Sequence, residues 1–345
     1  MIELLKELCL LDGVSGNEDA VRDYIAARAK PYATEMRTDA IGNLIVFKKG
    51  AVSAPNALML AAHTDEVGVM VTHITDQGYL KFDFVGGIDR RVVIGKPVTV
   101  GENKVPGVIG LKAIHMTTKA EREKSPKVDE LYIDIGAKDK ESASKLVSVG
   151  DYGAFVSDAV ELGDGMLKAK AIDDRLGCAV MLKLLEEDLP MDVTFAFTAQ
   201  EEVGTRGAFG ATFSVHPEVA LVLETTTAAD IPSVERAKRV CYVGKGPVIL
   251  QIDSSTIYDR GLFEELRGLA EENHIPWQTK ELIAGGNDAK AIQRTREGVR
   301  VCALSAAVRY LHAPSSMASV RDMENILALA RCFLKSRADA VKGGN

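Results

Sequence analysis

The sequence holds little that would tie it to an oxidising compartment, a membrane or a nucleic acid. Its five cysteines (Cys9, Cys178, Cys241, Cys302, Cys332) are odd in number and scattered. No Cys-x-x-Cys pair occurs, so neither a disulfide framework nor a cysteine-built zinc site is expected, and free buried thiols are. Positive charge is not in excess. Lys and Arg number 42 against 49 Asp and Glu, a formal net charge of −7. That balance argues against a nucleic-acid or anionic-membrane partner. No apolar run reaches the roughly 18 residues of a membrane span. The N-terminus lacks a basic segment followed by an apolar one, so no secretory leader is read there. Together these features predict a cytoplasmic location. Internal repeats and low-complexity tracts are also missing. What is present is an apolar content of 46% in 345 residues, enough for a sizeable core and more than one average domain.

Hydrophobic spacing divides the chain by texture. Leu4, Leu5, Leu8 and Leu11 fall at helical spacing. Ser15 and Glu18 have capping-box spacing ahead of a second helix carrying Val21, Ile25 and Ala26. Strands are expected over 43–47 and 57–62, the second a continuous apolar run typical of a strand buried on both faces. From 67 to 165, short β-like pieces alternate with glycine and proline, with one helical stretch near 140–146. This texture predicts an inserted small β-barrel or sandwich-like domain. After 165 an α/β rhythm returns, with helices at 175–187, 261–273 and 322–338 and strands at 192–198, 219–223 and 299–304. The expectation is an α/β catalytic domain built from 1–66 and 166–345, interrupted by a β-barrel domain at 67–165.

The chemistry collects at the expected strand ends. The run 57–62 leads into His63 and Asp65, the strand 192–198 into Glu201 and Glu202, and the strand 219–223 into Glu224. Asp173 and Asp174 precede a helix, and His312 follows an apolar stretch. Ligands of open α/β sheets bind outside the carboxyl ends of the strands, so these groups could share one rim. Singly, each has an ordinary explanation: a solvated loop histidine, acids at a helix start, a strand meeting water. Jointly, His, Asp and Glu make a donor set suited to zinc, cobalt or manganese.

At these residues the sequence resembles the M42 family of metallopeptidases, which includes glutamyl and tetrahedral aminopeptidases, some formerly labelled endoglucanases. The resemblance covers essentially the whole chain. It is carried by Ala62 to Gly68 (AHTDEVG), Ala171 to Gly177 (AIDDRLG), Gln200 to Gly207 (QEEVGTRG), Gly285 to Ala289 (GGNDA) and Arg309 to His312 (RYLH). In the expected insert it is carried by Val85 to Asp89 and Gly107 to Gly110.

The resemblance implies a mixed-sheet dinuclear metallopeptidase domain with a PDZ-like inserted barrel. It implies two divalent ions per subunit, zinc or cobalt, with manganese as a third option. His63 and Glu224 hold one ion, Glu202 and His312 the other, and Asp173 bridges both. Glu201 is the general base, Asp65 orients His63, and Asp174 follows the bridging residue in a cis Asp-Asp bond without being a ligand. Short peptides are the implied substrates, and dimers assembling to a homo-dodecamer the implied assembly. Glu224 stands where the family usually has Asp, and Asn287 and Lys290 where it usually has Thr and Gly. Lys290 thereby suggests a basic pocket wall favouring acidic N-terminal residues, against the plainer reading of a solvated or subunit-contact lysine. A deacylase of N-acyl amino acids remains an alternative on the same site. A glycosidase needs two carboxyls flanking the bond, about 5–10 Å apart, which adjacent Glu201 and Glu202 serve poorly. A scaffold without metal is disfavoured because every expected ligand position holds a competent side chain.

Overall fold

A computed structural model describes residues 1–343. Three strands come first: β1 (Glu35–Thr38), β2 (Leu44–Lys48) and β3 (Leu58–His63). Six follow in one block: β4 (Gly68–Ile74), β5 (Leu80–Val85), β6 (Pro97–Val100), β7 (Val105–Gly110), β8 (Tyr132–Asp134) and β9 (Tyr152–Phe155). The rest are β10 (Val160–Leu162), β11 (Met166–Ala169), β12 (Val193–Thr198), β13 (Val219–Thr227), β14 (Val248–Ile249), β15 (Arg300–Arg309) and β16 (Ser316–Ser319). The block β4 to β9 closes into a barrel, and the others form one ten-stranded mixed sheet in the order β1-β2-β12-β3-β13-β15-β16-β11-β10, with β14 paired to β15.

Alternation along the central strands explains the layers. Leu58, Leu60 and Ala62 of β3 enter one core with Leu221 and Leu223 of β13, beneath the helices Ile2–Leu10, Asp19–Ala29, Ile172–Leu185 and Val320–Lys342. Met59 and Ala61 point the other way, into a core with Ala220 and Val222. Helices Arg206–Val215 and Ala289–Gln293 cover that face through Ala208, Ala211 and Ile292. Both faces of the sheet are buried along these central strands, which is why they read as unbroken apolar runs. Full burial of side chains such as Phe195 and Phe197 stabilises by roughly 1.5–3 kcal/mol each. The barrel has a separate core that includes Val69, Val71, Phe82, Val98, Ile109 and Ile133.

The structure departs from the sequence reading at several edges. β13 runs to Thr227 because Thr225, Thr226 and Thr227 continue its pairing with Ala306, Ala307 and Val308 of β15. Glu224 therefore lies inside a strand instead of ending one. β10 already pairs with β11 in the large sheet, so that sheet resumes at residue 160, ahead of the expected return at 166. Its three residues are exposed, which leaves no apolar signal to read. The Ser15–Glu18 capping box does not form. The second helix starts at Asp19 with no side-chain cap, and both residues are drawn into other contacts described below. No helix among the described residues is long and apolar enough to cross a membrane.

Candidate active site

β12, β3, β13 and β15 are mutually parallel neighbours, so their carboxyl ends open on one side. Thr198 of β12 pairs with His63, and Glu224 lies two residues beyond the Val222–Ala61 pair, level with His63. Glu201 and Glu202 follow the end of β12, and His312 follows β15. Asp173 and Asp174 arrive from the facing helix, where both leave helical backbone angles and are joined by a cis peptide bond. Gly177 lets this helix sit close. A Cβ there would lie 2.7 Å from the Leu223 carbonyl oxygen and 2.8 Å from Ala62 Cβ, closer than a side chain tolerates in a packed core.

The two histidines face opposite oxygens of one carboxylate. His63 Nε2 lies 3.3 Å from Asp173 Oδ1 and 3.6 Å from Glu224 Oε1. His312 Nε2 lies 3.3 Å from Asp173 Oδ2 and 3.1 Å from Glu202 Oε2. The other ring nitrogens are held from behind. His312 Nδ1 meets the Gly87 carbonyl at 3.0 Å, and His63 Nδ1 meets the Asp65 carbonyl at 3.1 Å. With Nδ1–H donating in each case, both Nε2 lone pairs point inward. Gly87 follows barrel strand β5, so the barrel's edge helps orient a site residue of the large sheet.

Asp65 organises the rim. It is fully buried. Its Oδ1 accepts from the Glu201 amide at 3.0 Å, and its Oδ2 from the Glu202 amide at 3.1 Å and the Ser15 hydroxyl at 2.6 Å. His63 Nδ1 is also 3.2 Å from Oδ1. Burial pushes the Asp65 carboxyl up, but the bonds from His63, Ser15 and Glu201 outweigh it and hold it below the usual range. Glu18 supports the same loop by accepting from the amides of Gly16 and Gln200. Arg175, completely buried, donates from Nε to the Thr64 carbonyl at 2.9 Å and from Nη1 to the Leu8 carbonyl at 2.6 Å. Ser15 and Arg175 were not anticipated as site supports. A charged residue one step after Asp173-Asp174, ahead of the apolar run from Leu176 to Leu182, was the available signal for Arg175.

The residues fit a cation. Side-chain atoms of His63, Asp173 and Glu202 lie within 4.8 Å of one another, as do those of His63, Asp174 and Glu224. Tetrahedral ligation at about 2.1 Å sets ligand atoms roughly 3.4 Å apart, and the spacings above cluster there. Asp173 Oδ1 and Asp174 Oδ2 are buried without a hydrogen-bond partner, a costly condition for carboxylates. Burial first, then the Asp173 charge, pushes Glu224 up to about 8. Burial likewise pushes Glu202 up to about 8. Such crowded acids are relieved by a positive ion. Neither group contains a cysteine, and the described cysteines are free thiols, four of them buried. Asp174 has a second employment, since its Oδ1 accepts from the Gly177 amide at 2.9 Å and so caps the helix proper.

Glu201 stands outside both groups. Its side chain lines a cavity of about 160 Å³ that opens beside His63, Asp173 and Glu224. Burial, with Asp288, Glu224 and Glu202 adding repulsion, raises its carboxyl well above the usual range. On the other side of Asp173 a smaller space, about 20 Å³, lies between Glu202, His312, Lys170 and Phe155, room for about one water. Asn287 lines the larger cavity, donating to the Tyr258 hydroxyl at 3.1 Å. Lys290 does not line it; that side chain is exposed on the short helix Ala289–Gln293. Lys280 lines it instead.

Comparison with known proteins finds relatives along nearly the whole chain. The family model described as M42 glutamyl aminopeptidase matches residues 42–329. An Acetivibrio thermocellus protein, named an aminopeptidase only provisionally, is 41% identical over 95% of this chain and 97% of its own. An aminopeptidase structure from the archaeon Desulfurococcus kamchatkensis superposes with a TM-score of 0.92 at 35% identity, covering 99% of this chain and 97% of the other. A TET peptidase of Pyrococcus horikoshii superposes with a TM-score of 0.85 at 33% identity, covering 96% and 98%. That protein is described as assembling into a tetrahedron or a large octahedral shell.

Proposed function

The chain belongs to the M42 family of peptidases, and from that premise we propose that it is a dinuclear metalloaminopeptidase that releases single residues from the N-termini of short peptides. The observation that carries this reading is the pair of Nε2 atoms, each 3.3 Å from a different oxygen of Asp173. A carboxylate so divided suits a bridge between two divalent ions. In this reading His63 and Glu224 complete one ion's set, and Glu202 and His312 the other's. Zinc, cobalt and manganese all suit these donors. When bound, the ions supply Lewis acidity to the scissile carbonyl and to a water.

The chain's own residues do the rest. Glu201 takes a proton from the attacking water and returns it to the leaving nitrogen. Its desolvated carboxyl, raised by burial, is suited to hold that proton between the two steps. The free α-amine of a substrate fits beside the ligand cluster around Asp173, which accounts for exopeptidase action. Asp65 fixes His63 and the Glu201–Glu202 backbone in one register. The division into a catalytic domain interrupted by an inserted barrel domain, a homo-oligomeric assembly of dimers and a cytoplasmic location belong to the same proposal.

Hydrolysis of aminoacyl-p-nitroanilides, free and N-acetylated, tests the reading. Metal-dependent cleavage of the free-amine substrates alone is expected. Cleavage of the acetylated set would instead favour the deacylase alternative.

Asp65→Asn is expected to weaken metal binding by about 10–100-fold, the usual cost of losing an outer-shell partner. The amide leaves one of Asp65's bonds facing a donor instead of an acceptor. Competition with a chromogenic chelator reads this directly, and unchanged affinity would remove Asp65 from the account.

A further inference from the structure

The large sheet divides at the site. β3 stays beside β12 as far as the His63–Thr198 pair, and β13 stays beside β15 as far as Thr227–Val308. Pairing between β3 and β13 ends earlier, at Ala61–Val222. Among the described residues no other strand takes up that side of β13. From Thr225 to Thr227 it is an open strand edge, a template for another chain.

This edge faces the larger cavity, which Thr225, Thr226 and Thr227 all line. Successive side chains of a strand point to opposite faces, so three consecutive residues line one cavity only along the strand's edge. Backbone direction agrees. The Ala228 amide, just past β13, donates to the Val308 carbonyl of β15, and successive residues of a strand bond alternately to its two sides. Thr226 accordingly serves β15, while Thr225 and Thr227 turn away from it.

What the edge offers is limited at both ends. The Thr225 amide donates to the Glu224 carboxylate at 2.9 Å, and the Thr227 carbonyl accepts from the Cys241 thiol at 3.4 Å. Between them lie the Thr225 carbonyl and the Thr227 amide, neither with a partner among the described residues. Backbone groups removed from water require partners. In a parallel ladder, a carbonyl and an amide two residues apart on one strand bond the N–H and the C=O of a single residue facing them.

Resting on the aminopeptidase reading, we infer that β13 binds the second residue of a peptide substrate as an added parallel strand. That residue's N–H donates to the Thr225 carbonyl, and its C=O accepts from the Thr227 amide. Glu224, at the near end of the edge, faces His63, which places the first residue's scissile carbonyl there. The substrate then runs toward Thr227, in the direction of β13. The nitrogen held by Thr225 is the one that leaves as the new amine. Main-chain bonds of this kind give affinity without reading a side chain, so the edge accepts varied second residues provided each has a carbonyl to offer.

The test compares kcat/KM for alanyl-alanine amide and for the analogue whose second-residue carbonyl is a thiocarbonyl, a poorer acceptor of nearly the same shape. The metal-loaded wild type is expected to favour the amide by about two- to tenfold, the range for one neutral hydrogen bond. Thr227→Pro removes the amide on the side away from β15, where proline is tolerated, and is expected to bring the ratio near one. Thr227→Val keeps the amide and is expected to keep the ratio. Thermal melts check that each variant folds. A wild-type ratio near one, or a ratio unchanged in Thr227→Pro, overturns strand addition while leaving the aminopeptidase reading standing. Failure of the wild type to cleave either the dipeptide amide or any aminoacyl-p-nitroanilide overturns both.

Discussion

Glu201→Gln is expected to lower turnover of an aminoacyl substrate by roughly 10²–10⁴-fold, the contribution of a positioned general base, while the bound metal stays unchanged. The separation of effects follows from position. Glu201 lines the cavity but belongs to neither group of converging ligand atoms. Its backbone amide donates to Asp65 Oδ1, and glutamine keeps that bond. The variant also preserves side-chain length, so the loop and its neighbour Glu202 keep their places. What disappears is a group able to accept a proton. Near-normal turnover in Glu201→Gln would assign the base elsewhere.

Asp173→Ala should have the widest effect. Asp173 is the one carboxylate whose two oxygens approach different histidines. Removing it leaves His63 and His312 without the group that links them, and metal affinity should fall by more than the about 10–100-fold of an outer-shell loss. Activity should fall to background at ordinary metal concentrations. Asp173→Asn is a milder version, since it keeps one acceptor and loses the charge. Its metal content should drop with the alanine variant's, though less far. Metal content equal to wild type in Asp173→Ala would show that the ions, if bound, sit elsewhere.

Much of this site was legible in the sequence because parallel strands buried on both faces announce themselves as apolar runs. The ends of β3 and β12 were visible from Leu58 to Ala62 and from Val193 to Phe197, and the side chains after them fell on one rim. The end of β13 was misjudged because Thr225, Thr226 and Thr227 are polar yet β-branched, and they extend the ladder beside β15. β1 and β10 were unread for a different reason. Both are exposed edge strands, and pattern carries little signal where neither face is buried. The helix Arg206–Val215 (RGAFGATFSV) has two glycines and two phenylalanines, residues that favour helix weakly. Packing of Ala208 and Ala211 against the sheet decides it.

The supporting contacts were less accessible. Ser15 carried the spacing of a helix cap, but its hydroxyl reaches Asp65 across 50 residues of chain. The Gly87 carbonyl behind His312 lies 225 residues away in sequence. Local pattern cannot register such pairs, because they exist only once the barrel and the sheet are both folded. Lys280 and Lys290 make the same point within one short stretch of chain. Ten residues apart, only the first reaches the cavity wall, since the second projects from the outer side of a short helix.

The most direct test of the central claim is a metal titration of the chelator-treated protein, counting bound ions by mass spectrometry of the metal while following cleavage of a free-amine aminoacyl substrate. The account predicts full activity only as occupancy reaches two ions per chain. Full activity at one ion per chain, or in the metal-free protein, would contradict it.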